Sequence, residues 1–194
     1  MFELPQITLV AVTGKDYKTK EHFDALDYST KGIKFGEVKL LQLSSITDID
    51  SWNRAVIFEL PNYIETEFAL LIHADGYVVN PELWNDQWLN YDYIGAPWPL
   101  PKDDYSYRDE DGNLVRVGNS VSLRSKKLMD LIAKRPMDYH YGNNNEDGQI
   151  CCWNRKWLES EGCKFAPISV AKYFSKEHEI EENRNIKTFA FHSI

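Results

Sequence analysis

Residues 68–98, FALLIHADGYVVNPELWNDQWLNYDYIGAPW, constrain the fold more than any other part of the chain. They open with five consecutive apolar residues, Phe68–Ile72, and run directly into His73-Ala74-Asp75-Gly76. An unbroken apolar run of this length, closed by Gly, fits a strand covered on both faces, as in an α/β sheet. Ligands of such sheets bind beyond the carboxyl ends of the strands. Asp75 therefore stands at the mouth of the sheet, and Gly76 beside it carries no Cβ to crowd an approaching group. Two roles are open to Asp75. Its carboxylate either holds a divalent cation against a diphosphate or caps an Asp-Gly turn.

The rest of the pattern is built round that strand. Residues 7–12 form a β-branched apolar run, the expected first strand, which leaves through Thr13-Gly14-Lys15. Residues 17–29 predict a short helix with Phe23 and Leu26 on its covered side, and residues 38–43 a second strand. Residues 48–60 are ambiguous, and Ala55–Leu60 suit a strand by composition. A helix is preferred, because a crossover is needed before residue 68 and Pro61 would end it. Pro81 starts a predicted helix over 81–89, capped by Asn80. Residues 91–96 read as extended, and the acidic stretch 101–113 as a loop over the site. A helix is expected over 122–134, with Leu123, Leu128, Leu131 and Ile132 inward. Another runs from Glu146-Asp147 to about Ser160, carrying Ile150, Trp153, Trp157 and Leu158, and stops at Gly162.

Composition excludes several classes of function. A chain of 194 residues buries roughly 70% of its unfolded surface, and one domain over 1–194 is expected. The net charge of −8 opposes binding to nucleic acid or an anionic membrane. No apolar run reaches the ~18 residues of a transmembrane segment. The opening MFELPQITLV is neither a basic leader nor a long apolar one, so a cytoplasmic location is expected. Cys151, Cys152 and Cys163 lack zinc spacing and are expected to be buried free thiols. Walker, dinucleotide-fingerprint and nucleophile-elbow patterns do not occur. Six Trp and eleven Tyr, many beside Asn and Asp, suit either a sugar or nucleobase site or an ordinary core and rim.

Three further features carry chemistry. Glu146-Asp147, at a helix start, provides either a general base for an acceptor hydroxyl or simple N-terminal capping charge. Gly118-Asn119-Ser120 presents backbone N–H groups or the Asn amide to a hydroxylated ligand. His192 lies between Phe191 and Ser193 near the end of the chain, and His73 sits at the strand end.

Taken together, several blocks resemble the signature of an uncharacterised bacterial domain family whose members are similar to glycosyltransferases of polysaccharide synthesis. They are Asp75-Gly76-Tyr77-Val78-Val79-Asn80-Pro81, Tyr91-Asp92-Tyr93-Ile94-Gly95-Ala96-Pro97-Trp98, Gly118-Asn119-Ser120-Val121-Ser122-Leu123-Arg124-Ser125, Asn145-Glu146-Asp147, Lys164-Phe165-Ala166-Pro167 and Phe189-Ala190-Phe191-His192. The resemblance implies a GT-A-like (Rossmann-like) mixed sheet flanked by helices. It implies a nucleotide-diphosphate sugar donor, a glycan or other hydroxylated acceptor, and inverting transfer. It places Val12 and Thr13 at the nucleotide, Asp75 and Gly76 at the diphosphate, and Asp75 with His192 at Mn²⁺ or Mg²⁺. Asp147, with Glu146 as the alternative, becomes the base, and Trp98, Gly118, Asn119 and Ser120 meet the acceptor. The usual Asp-x-Asp metal motif is reduced here to His73-Ala74-Asp75. That departure keeps a second expectation open, a catalytically inactive carbohydrate- or nucleotide-binding module.

Overall fold

The computed structural model of the chain describes residues 2–118, 121–135 and 145–193. In chain order the elements are β1 (Phe2–Gly14), α1 (Thr19–Ser29), β2 (Ile33–Leu43), α2 (Ile49–Phe58), β3 (Phe68–Ile72), β4 (Gly76–Val78) and β5 (Tyr93–Ile94). There follow β6 (Ser122–Ser125), α3 (Lys126–Lys134), α4 (Glu146–Gly148), α5 (Arg155–Ser160), α6 (Ile168–Phe174), β7 (Ser175–Lys176) and β8 (Ala190–His192). The main sheet has the order β2-β1-β3-β6-β5. β1 lies parallel to both β2 and β3, while β6 is antiparallel to β3 and β5. It is therefore a mixed α/β sheet, whose parallel half is joined by helical crossovers.

The apolar runs of β1 and β3 explain its centre. Alternate residues point to opposite faces. Leu9, Ala11, Leu70 and Ile72 join the core that includes Ala25 and Leu26 of α1. Val10, Val12, Ala69 and Leu71 join Val56, Leu60 and Met129 on the other side. Burial on both faces is why these strands read as continuous apolar sequence. A third cluster, round Trp98, Cys151, Cys152 and Phe165, fills the far end. The three cysteines are free and buried.

A small second sheet, β4-β8-β7, returns the end of the chain to the tip of β3. Beneath it Phe189 sits among Trp84, Trp88 and Phe174, with ring centroids 5.5, 5.3 and 5.9 Å away.

Several local expectations are corrected. Ser122–Ser125 is a strand rather than the start of a helix. Leu123 faces Leu70 across the ladder, and the Ser125 hydroxyl accepts from Leu128 N to cap α3. In α1 the covered residues are His22, Ala25, Leu26 and Ser29, while Phe23 is exposed. In place of one helix over 81–89 there are two short 3₁₀ turns, Pro81–Leu83 and Asp86–Asn90, and the Asn80 amide donates to Thr188 O instead of capping a helix. Trp153 is exposed on a π-helical turn, Gln149–Trp153, inserted between α4 and α5. The apolar element that Phe165-Ala166-Pro167 begins is the helix α6, with Pro167 at its N-cap position. Pro61 does not end α2, which stops at Phe58; it lies in the first turn of a 3₁₀ helix, Leu60–Tyr63, a place that needs no backbone N–H. Gly162, at φ +79°, follows α5.

Candidate functional site

The turn from β3 to β4 sets the geometry. His73 N donates to Gly76 O at 2.7 Å, so Asp75 sits at the tip of a tight reversal with its side chain 54% exposed. β4 pairs with β8 so that Gly76 lies opposite His192. This places His192 Nε2 3.4 Å from Asp75 Oδ1. On its other side His192 Nδ1 lies 3.0 Å from Glu177 Oε1, just beyond β7. A carboxylate only accepts, so Nδ1 donates to Glu177. Nε2 of a neutral ring is then an acceptor facing an acceptor. A cation between the two, the second ring proton or a metal ion, removes that repulsion. Burial pulls the His192 pKa down, but Glu177 and then Asp75 outweigh it, and the net direction is upward. Gly76 is required here. A Cβ would lie 2.5 Å from His192 Cδ2 and 2.9 Å from Val121 Cγ2. The space that glycine leaves is filled by the protein's own imidazole.

Beside this turn β1 ends at the same sheet edge, with Ala11 opposite Ile72. Val12 and Thr13 are buried. Val12 O accepts the Trp52 indole N–H at 2.8 Å, and the Thr13 hydroxyl donates to Tyr17 O at 2.8 Å. Trp52 packs on His73 and His73 on His192, at centroid separations of 5.3 and 5.1 Å. A row of three rings thus links the end of β1 to Asp75.

The acidic pair divides. Glu146 is 1% exposed and ion-paired with the equally buried Arg124, Nη2 to Oε1 at 2.5 Å. Burial lowers the Arg124 pKa and the Glu146 carboxylate raises it, with the net direction upward, so the guanidinium stays charged. Asp147 is 8% exposed, and its Oδ1 accepts from Gly148 N at 2.7 Å. Burial and the Asp147 charge push the neighbouring Cys152 thiol up to about 12. Trp98 is buried, stacks on Tyr107 at 4.7 Å, and abuts Gly118, where a Cβ would fall 2.1 Å from Trp98 Cζ2. Asn119 and Ser120 lie outside the described residues.

The structure thus brings Asp75, Gly76 and His192 together, and Trp98 against Gly118. It ties Glu146 to Arg124. The sequence pointed to no site role for Glu177, Arg124, Asn53 or Trp52. Glu177 lies in a charged tail and Arg124 in an assumed helix, so neither carried a local signal. Among the described residues no group of three or more His, Cys, Asp or Glu side chains is arranged to hold a metal ion. Asp75 and His192 supply one oxygen and one nitrogen donor. Two donors do not complete the shell of a divalent ion, so any ion here needs further ligands. No helix among the described residues is long and apolar enough to cross a membrane.

A family model described as "Protein of unknown function (DUF5672)" matches residues 37–192, and the chain belongs to that family. No curated protein matches the sequence. Among solved structures, the fold is similar to that of a glycosyltransferase involved in glycosylation of the major capsid of the virus PBCV-1. The TM-score is 0.59 at 12% identity, covering 96% of this chain and 91% of that one. It is also similar to the galactosyltransferase LgtC in complex with donor and acceptor sugar analogs, with a TM-score of 0.51, 12% identity, and 96% and 86% of the two chains covered. An active-site mutant of LgtC gives 0.52 at 13% identity with the same coverage. These likenesses establish a GT-A-like fold.

Proposed function

Taking that family and that fold as the premise, we propose that the chain is a glycosyltransferase that moves a sugar from a nucleotide-diphosphate donor to a hydroxyl of a glycan. The observation that carries this reading is the Asp75–His192–Glu177 constellation at the carboxyl edge of the sheet. A half-exposed carboxylate meets an imidazole whose far nitrogen is fixed by a second carboxylate. This is how proteins orient a histidine toward a cation. Asp75 and His192 would hold Mn²⁺ or Mg²⁺, and Glu177 would hold the His192 tautomer. The ion, when bound, supplies neutralising charge to the departing diphosphate.

The nucleotide would lie against the ends of β1 and β3, with Val12, Thr13 and Trp52 at its base and Gly76 at the diphosphate. Asp147 would accept the proton of the attacking hydroxyl. The acceptor oxygen forms a bond to the anomeric carbon as the bond from that carbon to the diphosphate breaks, a direct displacement with inversion. Asp147 is the more exposed of the two carboxylates, 8% against 1%, which favours it as the base. The acceptor would be met by Trp98, Gly118, Asn119 and Ser120.

A thermal-shift screen of nucleotide sugars with and without Mn²⁺ tests the donor half. A ligand at a hundredfold excess over its Kd adds about 2.7 kcal/mol, which raises Tm by about 5–11 °C for a chain of this size. Transfer assays then compare the wild type with Asp75→Asn and Asp147→Asn. The Asp147 change is expected to cost about 10²–10⁴ in kcat. Wild-type rates in both variants would overturn the assignments. The reduced His73-Ala74-Asp75 motif supports a second reading, a binding module without turnover. Saturable nucleotide-sugar binding with no transfer or donor hydrolysis would decide for it.

A further inference from the structure

We propose that Arg124, Glu146 and Asn53 are positioning residues that fix the backbone carrying Asp147. The claim rests on the reading of Asp147 given above, but it is carried by separate observations. The helical turn that presents Asp147 is held from two sides. From the sheet, Arg124 on β6 reaches Glu146 with one guanidinium nitrogen, while its Nε donates to Ser122 Oγ at 2.8 Å. The Cζ of that guanidinium lies 5.3 Å from the centre of the Tyr93 ring. From α2, Asn53 Oδ1 accepts the backbone N–H of Glu146 at 3.1 Å, and its amide reaches Asn145 Oδ1 at 3.4 Å. Arg124, Glu146 and Asn53 are each 1% exposed. Glu146, the residue just before Asp147, is therefore held by its side chain and by its main chain at once.

A buried ion pair adds little net stability over apolar packing of the same volume. Its hydrogen bonds are directional, however, and that suits a turn that must hold one register. The same helix extends the bracket to the donor side. Trp52, the residue before Asn53, binds Val12 O. Two adjacent side chains of α2 thus tie the end of β1 to the turn that bears Asp147. An error of ~1 Å in a catalytic group costs on the order of 10²-fold in rate, so this bracket acts on kcat.

The test uses the whole chain with Asn53→Ala and the double variant Arg124→Met/Glu146→Met. The double variant removes both charges while keeping bulk, so it is expected to fold where a single change leaves one charge buried. In each, kcat should fall by about 10–100-fold while the donor KM stays within about twofold. A purely structural role would move KM with kcat, or would lower the active fraction. The latter also lowers apparent kcat at unchanged KM, so kcat is counted per folded molecule, and a kcat that returns to the wild-type value on that count overturns the proposal. A second readout needs no activity. Cys151 and Cys152 lie four and five residues after Asp147, on the π-helical turn that continues α4, so their labelling by a maleimide, resolved by mass spectrometry, should quicken about fivefold or more relative to Cys163. Unchanged labelling in both variants, or full kcat in the folded double variant, overturns the proposal. If the wild type transfers no sugar from any donor, the glycosyltransferase reading fails, and the labelling still decides whether these residues fix the turn.

Discussion

Replacing Gly76 by Ala isolates the contact on which the site depends. Gly76 is not among the positive-φ residues, so alanine meets no backbone penalty there. The cost lies in space. The new Cβ would stand 2.5 Å from His192 Cδ2 and 2.9 Å from Val121 Cγ2, against about 3.5–4.0 Å for a relaxed carbon contact. His192 must therefore move by about 1 Å or turn its ring, and turning breaks its alignment between Glu177 and Asp75. Overpacking of this kind costs about 1–3 kcal/mol. The stiffer unfolded chain returns about 0.4–1 kcal/mol. The net loss is about 1–2 kcal/mol, or about 2–8 °C in Tm. A double-mutant cycle with His192→Ala, followed by urea unfolding, separates the contact from other effects. Removing the ring relieves the closer clash, so the double variant should be less destabilised than the sum by about 1 kcal/mol. An unchanged Tm in Gly76→Ala, or an additive cycle, would refute the reasoning.

Glu177 and Asp75 raise the His192 pKa above its ordinary 6.5. The stabilisation is therefore fully present below the unfolded-state value and is lost as pH rises through the folded-state one. Glu177→Gln should accordingly cost more stability at about pH 5.5 than at about pH 9, read by urea unfolding. An equal loss at both would count against the contact. Burial and nearby carboxylates hold the Cys152 thiol at about 12 and the Cys163 thiol at about 11. A thiol reagent at about pH 8 should label the native chain slowly and the denatured chain at once. A burst of native labelling would contradict this. Phe189 is fully buried among aromatic rings, and Phe189→Ala should lose about 3–5 kcal/mol. A loss below about 1 kcal/mol in urea unfolding would show that the cluster closes over the gap.

The α/β character, the buried strand at residues 68–72, the crossover helix α2 and the acidic start of the 146–160 helical region were legible in the sequence. Each is a local property. Apolar runs mark strands covered on both faces, 3.6-residue spacing marks helices, and Gly162 marks the end of one. The strand Ser122–Ser125 was not legible, because four residues are too few to show a period of two before the α3 pattern begins. Asp75 and Gly76 could be singled out as a strand-end pair, yet what Gly76 makes room for could not. The partner is an imidazole 116 positions along the chain, delivered by pairing of β4 with β8.

The same limit governs the acidic pair. Glu146 and Asp147 are adjacent and chemically alike, and sequence leaves both open as a base. Packing separates them, since the guanidinium of Arg124 on β6 pairs with Glu146. Sequence therefore determined which segments are strands and helices and which carboxylates stand near their ends, because those depend on periodicity and local backbone chemistry. Tertiary structure alone decided that Glu177 orients His192, that His192 meets Asp75, and that Glu146 is bound up in an ion pair. Those outcomes depend on which side chains long-range strand pairing brings within hydrogen-bond distance.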